Sequence, residues 1–321
     1  MLNNRPPPPP HAPAVVIAGP TASGKSALAV AVAEEFGGVV INADSMQVYD
    51  VLRVVTARPS PEDEARVPHR LYGHLSPAVA CSAAAWRDDA RAEVEAAWAA
   101  GRLPVVVGGT GLYIRTLIEG ISPVPDIPDD VRAAARARFA QVGNAAFHAE
   151  LARRDPVMAA RLEPGNSQRL VRAWEVLEAT GRSLAEWQAL PPEGGVAADW
   201  ITFALLPPRE WLYGNCDRRF GQMVEQGALA EVAALLAMDL DPALPAMKAL
   251  GVPELAAHLR GEIDLDGAIA AACRATRNYA KRQMTWFRHQ LKAPIALSAQ
   301  YSESLKAEIF SKIRQRPLTP G

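Results

Sequence analysis

The sequence predicts an α/β protein: a doubly wound parallel sheet built around a phosphate loop and interrupted by a helical insertion. Three observations carry this reading. Apolar runs at Ala14–Ala18, Gly38–Ile41, Leu103–Val107 and Trp200–Leu206 are continuous rather than alternating, as in parallel strands buried on both faces. The first run leads through a glycine-bounded stretch directly into the Ala-rich helical segment Ala27–Ala33, a strand–loop–helix order. Between the third and fourth runs, Ser122–Leu190 reads as helix only, in segments Asp129–Gln141, Ala145–Arg154 and Ser167–Thr180. Together these give a P-loop NTPase-like core with a helical insertion.

The loop after the first strand is Gly19, Pro20, Thr21, Ala22, Ser23, Gly24, Lys25 and Ser26, a complete phosphate-binding motif. Gly19 and Gly24 let the backbone turn its N–H groups inward, and the following helix N-terminus adds partial positive charge. Lys25 neutralises terminal phosphoryl oxygens, and Ser26 can reach Mg²⁺. This chain is built to grip a polyphosphate.

The second strand delivers Asp44 at its carboxyl end, followed by Ser45, Met46 and Gln47, and the third ends in Gly108-Gly109-Thr110-Gly111. In a doubly wound sheet these ends open onto one crevice, so Asp44 and Thr110 are expected beside the phosphate loop. An ATPase or GTPase ends a strand near the loop with a Mg²⁺-binding Asp. Here glycines follow Val105-Val106-Val107, and no guanine-reading Asn-Lys-x-Asp occurs, so Asp44 is the well-placed acid.

Composition bounds the rest. A chain of 321 residues, 49% hydrophobic and 21% charged, buries a large core. The expected organisation is a Pro-rich disordered tail over 1–13, the core with a basic C-terminal helix over 14–121 and 200–300, the insertion over 122–199, and a C-terminal tail over 301–321. Cys81, Cys216 and Cys273 form no C-x-x-C pair, which argues against a disulfide framework or zinc site and for reduced, buried thiols. No apolar run reaches the roughly 18 residues of a membrane span, and the N-terminus has no signal-peptide core, so a cytoplasmic protein without membrane contact is expected.

A net charge of −1 suits a nucleic-acid binder poorly until it is read locally. Gly267 to Ser302 contains no Asp or Glu but includes Arg274, Arg277, Lys281, Arg282, Arg288 and Lys292. On a helix, Arg274, Arg277, Lys281, Arg288 and Lys292 fall within about 60° of one another, while Ile269, Ala272, Thr276, Gln283 and Phe287 lie opposite. Such a stripe fits a polyanion backbone. The insertion is a second basic region, with Arg132, Arg136, Arg138, Arg153, Arg154, Arg161, Arg169, Arg172 and Arg182, although acids such as Asp129, Glu150 and Glu175 dilute it.

Seven motifs in order carry a family resemblance: the phosphate loop, Asn42–Tyr49, Thr56–Pro59, Pro68-His69, Gly108–Tyr113, Gln168–Arg172 and Lys281–Trp286. Over roughly residues 14 to 292 the chain resembles bacterial tRNA dimethylallyltransferases. The resemblance implies transfer of a five-carbon prenyl group from dimethylallyl diphosphate to N6 of adenosine 37 in the tRNA anticodon stem-loop, by an enzyme expected to work as a monomer with Mg²⁺ on Ser26 or Thr21. It implies that Asp44 accepts the N6 proton, that Thr110 positions the amine, and that Arg219 clamps the departing diphosphate. By the same resemblance Asp44, Ser45, Met46, Gln47 and Thr110, with Gln168, Arg169, Leu170, Val171 and Arg172, face tRNA, joined by Arg132, Arg274, Arg277 and Lys281 from the two basic regions. The chain departs from the family pattern at Val55, where Gly is usual, at Arg70, and at Gly251-Val252-Pro253-Glu254, where Pro253 removes a backbone donor.

Two other enzymes share parts of this pattern. A P-loop small-molecule kinase also has an Arg-rich helical lid and a strand-end carboxylate, and a prenyltransferase acting on free adenine nucleotide shares the core motifs. Neither needs the basic C-terminal helix. A non-enzymatic ATP-dependent RNA-binding module leaves Asp44 and Gly108-Gly109-Thr110 unexplained.

Overall fold

The computed structural model describes residues 12–292, 294–298 and 302–316. Two compact units emerge: an α/β unit of residues up to Ile118 and from Val196 onward, and a helical unit, Glu119–Gly195. The helical boundary thus falls a few residues before the 122–199 read from the sequence.

The chain runs β1 (Pro13–Ala18), α1 (Lys25–Glu35), β2 (Val39–Asn42), α2 (Pro61–Arg66), β3 (His69–Arg70), α3 (Ala83–Ala99), β4 (Pro104–Gly108) and α4 (Gly111–Glu119). The helical unit follows with α5 (Asp129–Arg154), α6 (Pro156–Ala159), α7 (Ser167–Thr180) and α8 (Leu184–Trp187). The chain then returns through β5 (Asp199–Leu205), α9 (Arg209–Glu225), α10 (Ala228–Leu236), α11 (Val252–Leu259), α12 (Leu265–Gln290), β6 (Ile295–Leu297) and α13 (Glu303–Arg314). All strand pairs are parallel, in the order β3-β2-β4-β1-β5-β6.

β1 at the centre explains its composition: Ala14 to Ala18 are wholly buried, and successive side chains feed two layers. Val15 and Ile17 join Val105, Val107 and Phe203 against α1, while Val16 and Ala18 join Ile41, Val106 and Ala204 against α3, α4 and α12. A strand with helices on both faces has no polar side to show.

Two terminal expectations are corrected. Pro13 belongs to β1 rather than to a tail: it pairs in register with Asp199, and its carbonyl accepts from Trp98 Nε1 at 2.8 Å. Proline is tolerated there because the first residue of a strand can do without a ladder donor; residues 1–11 of the expected tail lie outside the described residues. The expected C-terminal tail contains α13, whose Leu305, Ile309, Phe310 and Ile313 pack on the α1 layer, with the Phe310 ring edge-on to Phe36 at 5.4 Å. That apolar spacing is a helix face.

The helical unit has its own core of Phe147, Leu151, Leu170, Ala173 and Val176. α5 breaks at Gly143 (φ 74°, ψ 176°), between its two periodic segments. Pro253 sits exposed in the first turn of α11, where a missing N–H costs little, and Glu254 closes a capping box onto Gly251 N at 3.2 Å.

Candidate active site

The phosphate loop turns from β1 into α1 through Ala22 (φ 62°) and Gly24 (φ 86°). Its crown is packed from below: Cys216 on α9 and Ala280 and Met284 on α12 form a buried cluster against Ala22. Lys25 Nζ donates to the Pro20 carbonyl at 3.2 Å, and Ser26 is exposed at the rim. Burial pushes the Lys25 ammonium down to about 8; the neighbouring Arg219 charge pushes the same way, and Asp44 opposes both. Burial likewise lowers the Arg219 guanidinium. Among the described residues neither cation makes an ion pair. Two cations therefore stand together at a partly buried loop.

Asp44 is presented rigidly. The fully buried Asn42 accepts from Asp44 N at 2.9 Å and donates to the carbonyls of Asp44 and Leu71, each at 3.0 Å. Asp44 Oδ1 accepts from Met46 N at 2.9 Å, which turns the chain sharply after β2. Thr110 Oγ1 accepts from Ser45 N at 3.0 Å and donates to Ser45 Oγ at 3.3 Å, while Thr110 N donates to the Ala43 carbonyl at 3.1 Å. This close approach requires Gly108, because a Cβ there would lie 2.0 Å from the Ala43 oxygen.

Asp44 and Thr21 open on one cavity of about 270 Å³. Its polar wall is Thr21, Asp44, Arg219 and Tyr279; its apolar wall is Met46, Val55, Phe220 and Met223. A second depression of about 280 Å³ lies over Ser23 to Ser26, bordered by Arg218 and Gln222. Arg219 lines both.

Several expected residues have other duties. Arg219 donates to Thr21 Oγ1, which ties the loop hydroxyl to the guanidinium. Gln47 spends its amide on the Thr56 and Ala57 carbonyls, at 2.9 and 2.8 Å. Leu170 is wholly buried in the helical core, so its side chain is not available to tRNA, whereas Val171 packs on that core and stays partly exposed. Arg172 pairs with Glu175 at 3.5 Å, and Arg132 Nε donates to the Ile127 carbonyl at 3.0 Å. In the stripe, Arg277 pairs with Asp217 at 2.6 Å, while Arg274, Lys281, Arg288 and Lys292 are exposed. Gln168 and Arg169 are exposed.

Other contributors were hidden from sequence reasoning. Gln283 looks like part of the apolar face of α12, yet it bonds the phosphate loop and the Gly109 carbonyl. Tyr279, one turn earlier, lines the cavity; burial and the charge of Asp44 raise its phenol, with nearby Thr110, Arg282 and Gln283 pulling the other way. Glu231 of α10 accepts three consecutive amides, from Arg53, Val54 and Val55, at 2.6, 2.8 and 2.8 Å. Val55 therefore needs no glycine conformation. The only sequence signal for Gln283 was its place within Lys281–Trp286.

The metal-ligand set is sparse: among the described residues no group of three His, Cys, Asp or Glu side chains could hold an ion. The exposed Ser26 hydroxyl fits Mg²⁺, which keeps waters and phosphate oxygens and takes few protein ligands.

Residues 47–290 match the family model described as IPP transferase, and residues 13–77 that of isopentenyl transferase. The chain is 64% identical over 307 residues to a tRNA dimethylallyltransferase of Paramagnetospirillum magneticum, covering 96% of this chain and 98% of that one. It is 59% identical over 285 residues to a tRNA dimethylallyltransferase of Rhodospirillum centenum, covering 88% and 90%. Among solved structures it resembles the tRNA isopentenylpyrophosphate transferase of Bacillus halodurans (TM-score 0.68, 32% identity, 95% and 96% covered). It also resembles a eukaryotic dimethylallyltransferase acting on tRNA (TM-score 0.79, 26% identity, 96% and 81% covered).

Proposed function

The chain belongs to the IPP transferase family and transfers a dimethylallyl group to tRNA, and we propose that it does so at the Asp44 cavity, from dimethylallyl diphosphate to N6 of adenosine 37. The observation that carries this reading is a cavity lined by Asp44, Arg219 and an apolar wall, beside a depression over the phosphate loop that Lys25 lines and Arg219 shares. A phosphate loop alone fits many reactions. The added apolar wall fits a hydrocarbon donor.

The diphosphate sits over the loop amides, with Lys25 and Arg219 on its oxygens, where preorganised positive charge stabilises the leaving group as the C–O bond breaks. When bound, Mg²⁺ at Ser26 supplies further neutralisation of that charge. N6 of the adenine attacks the allylic carbon, and its proton passes to Asp44, whose orientation Asn42 and Met46 N fix. Thr110, held against Ser45 and Ala43, hydrogen-bonds the amine. The adenine must leave the anticodon loop to reach this cavity. Exposed Arg274 and Lys281 on α12, and Arg169 in the helical unit, contact tRNA phosphates. The enzyme acts as a monomer in the cytoplasm; its three cysteines are free thiols, which suits that reducing compartment.

The test supplies radiolabelled dimethylallyl diphosphate, ATP, AMP and unmodified tRNA to the full chain. Label moving from dimethylallyl diphosphate to a tRNA adenine is the expected result. Label appearing in AMP, or phosphoryl transfer from ATP to a small molecule, would overturn the reading.

A further inference from the structure

The donor side and the acceptor side of the cavity meet through one buried amide. Gln283 is 5% exposed and projects from α12. Its Oε1 accepts from Thr21 N in the phosphate loop at 2.9 Å, and its Nε2 donates to the Gly109 carbonyl at the end of β4, also at 2.9 Å. Gly109 leaves it no slack, since a Cβ there would lie 2.2 Å from Nε2. Gly109 is followed directly by Thr110 in the backbone, and Thr110 N donates to the Ala43 carbonyl at 3.1 Å. Thr110 in turn holds Ser45, the neighbour of Asp44. A continuous path therefore runs from the phosphate loop through Gln283 and the Gly109–Thr110 backbone to Ser45, the neighbour of Asp44.

We infer that Gln283 is a positioning residue that couples occupancy of the phosphate loop to the geometry of Asp44 and Thr110, so that a bound donor tightens the binding of the acceptor. The inference rests on the transferase reading above. Its physical basis is satisfaction. In a buried site every member of a polar network must keep its partner, because a donor or acceptor left without one bears its desolvation penalty with nothing in return. When a diphosphate draws the loop amides inward, Thr21 N carries Gln283 with it, and Gln283 cannot follow without moving Gly109. An amide suits this place because it accepts at one end and donates at the other. A carboxylate in the same volume would set a second acceptor against the Gly109 oxygen and negative charge beside the diphosphate. A thioether would offer neither bond.

The experiment measures equilibrium binding of unmodified tRNA with and without a dimethylallyl diphosphate analogue carrying sulfur in place of the bridging oxygen. Wild type, Gln283→Met and Gln283→Glu are compared, with single-turnover transfer rates alongside. In the wild type the analogue should tighten tRNA binding about 5-fold or more, the lower end of ordinary coupling between sites. In Gln283→Met each ligand alone should bind within about threefold of wild type, the coupling factor should fall to near one, and the transfer rate should drop about 10- to 100-fold. Gln283→Glu, nearly isosteric and so the check should the Met variant not fold, should also lose the coupling and in addition weaken analogue binding. A variant that folds and keeps the wild-type coupling factor reduces Gln283 to a packing role and overturns the inference, as does a wild type that transfers the group yet shows no coupling. A wild type that labels no tRNA from dimethylallyl diphosphate sinks the transferase reading instead.

Discussion

The helical unit and the phosphate loop of the α/β unit treat their cations in opposite ways. In the helical unit, Arg138 pairs with Glu150, Arg154 with Glu178, Arg172 with Glu175 and Arg182 with Glu186, while Arg154 and Arg182 also lie over the Trp174 and Trp187 rings. In the α/β unit, Lys25 and Arg219 sit desolvated with no ion pair among the described residues. A run of arginines in a sequence is therefore a poor census of binding groups, since most are consumed by helix neighbours worth little each. A cation kept from water and denied a carboxylate is a stronger sign of an anionic ligand, because the fold is less stable for holding it.

The sharpest way to break this comparison is at Asp44. Asp44→Ala should lower turnover by roughly 10²- to 10⁴-fold with donor and tRNA affinities little changed, the scale for losing a general base. Turnover within threefold of wild type would leave the strand-end carboxylate without a chemical part.

Next in size is the pH dependence that follows from Lys25. Its ammonium, ordinarily at 10.5, is pushed down to about 8 by burial in the donor-free protein. Diphosphate needs the charged form, so donor affinity should fall as pH rises through about 8, and Lys25→Arg should abolish that fall, as titration calorimetry across pH 7 to 10 would show. Stability runs the other way. Between about 8 and 10.5 the unfolded chain holds a proton that the native protein has shed, so the Lys25 contribution to stability rises with pH; below 8 both states are charged and that gain is absent. A flat affinity profile would mean that the loop is not a desolvated cation site.

Glu231→Ala should cost about 1–3 kcal/mol in denaturant unfolding, because it strips the acceptor from the amides of Arg53, Val54 and Val55. The wall carrying Val55 should loosen and tRNA turnover fall, while donor affinity at the phosphate loop stays put. An effect on donor affinity equal to that on turnover would show that the two sides of the cavity are not separable.

The smallest effects sharpen the distinction between free and paired arginines. Arg169→Ala should weaken tRNA binding and make the log–log salt slope shallower by up to about one, whereas Arg138→Ala should leave both unchanged and barely alter stability. On α12, Arg274→Ala and Lys281→Ala should behave like Arg169, and Arg277→Ala like Arg138. Equal effects across the set would show that ion pairing within the protein does not decide which arginines meet RNA.

Read along the chain, most of the architecture was legible. A continuous apolar run such as Ala14–Ala18 is tolerated only where both faces are covered, and Gly19 to Ser26 between such a run and an Ala-rich segment leaves one geometry for the backbone. Asp44 and Thr110 were legible for the same reason: strand ends in a doubly wound sheet converge whatever follows them. Leu170 was misread because a motif names positions without saying which face of the helix is buried, and α13 because its spacing was passed over after residue 300.

Only the folded chain decides the partners. Gln283 meets Thr21 across 262 residues and Gly109 across 174, and Glu231 meets Val55 across 176. No periodicity or spacing encodes such pairs, because side-chain hydrogen bonds reach about 3 Å and depend on how separate helices come to rest on a sheet. Sequence periodicity reports which side of an element turns inward; whether a polar residue there is a misplaced solvated group or the keystone between two loops is set by what the tertiary packing brings opposite it.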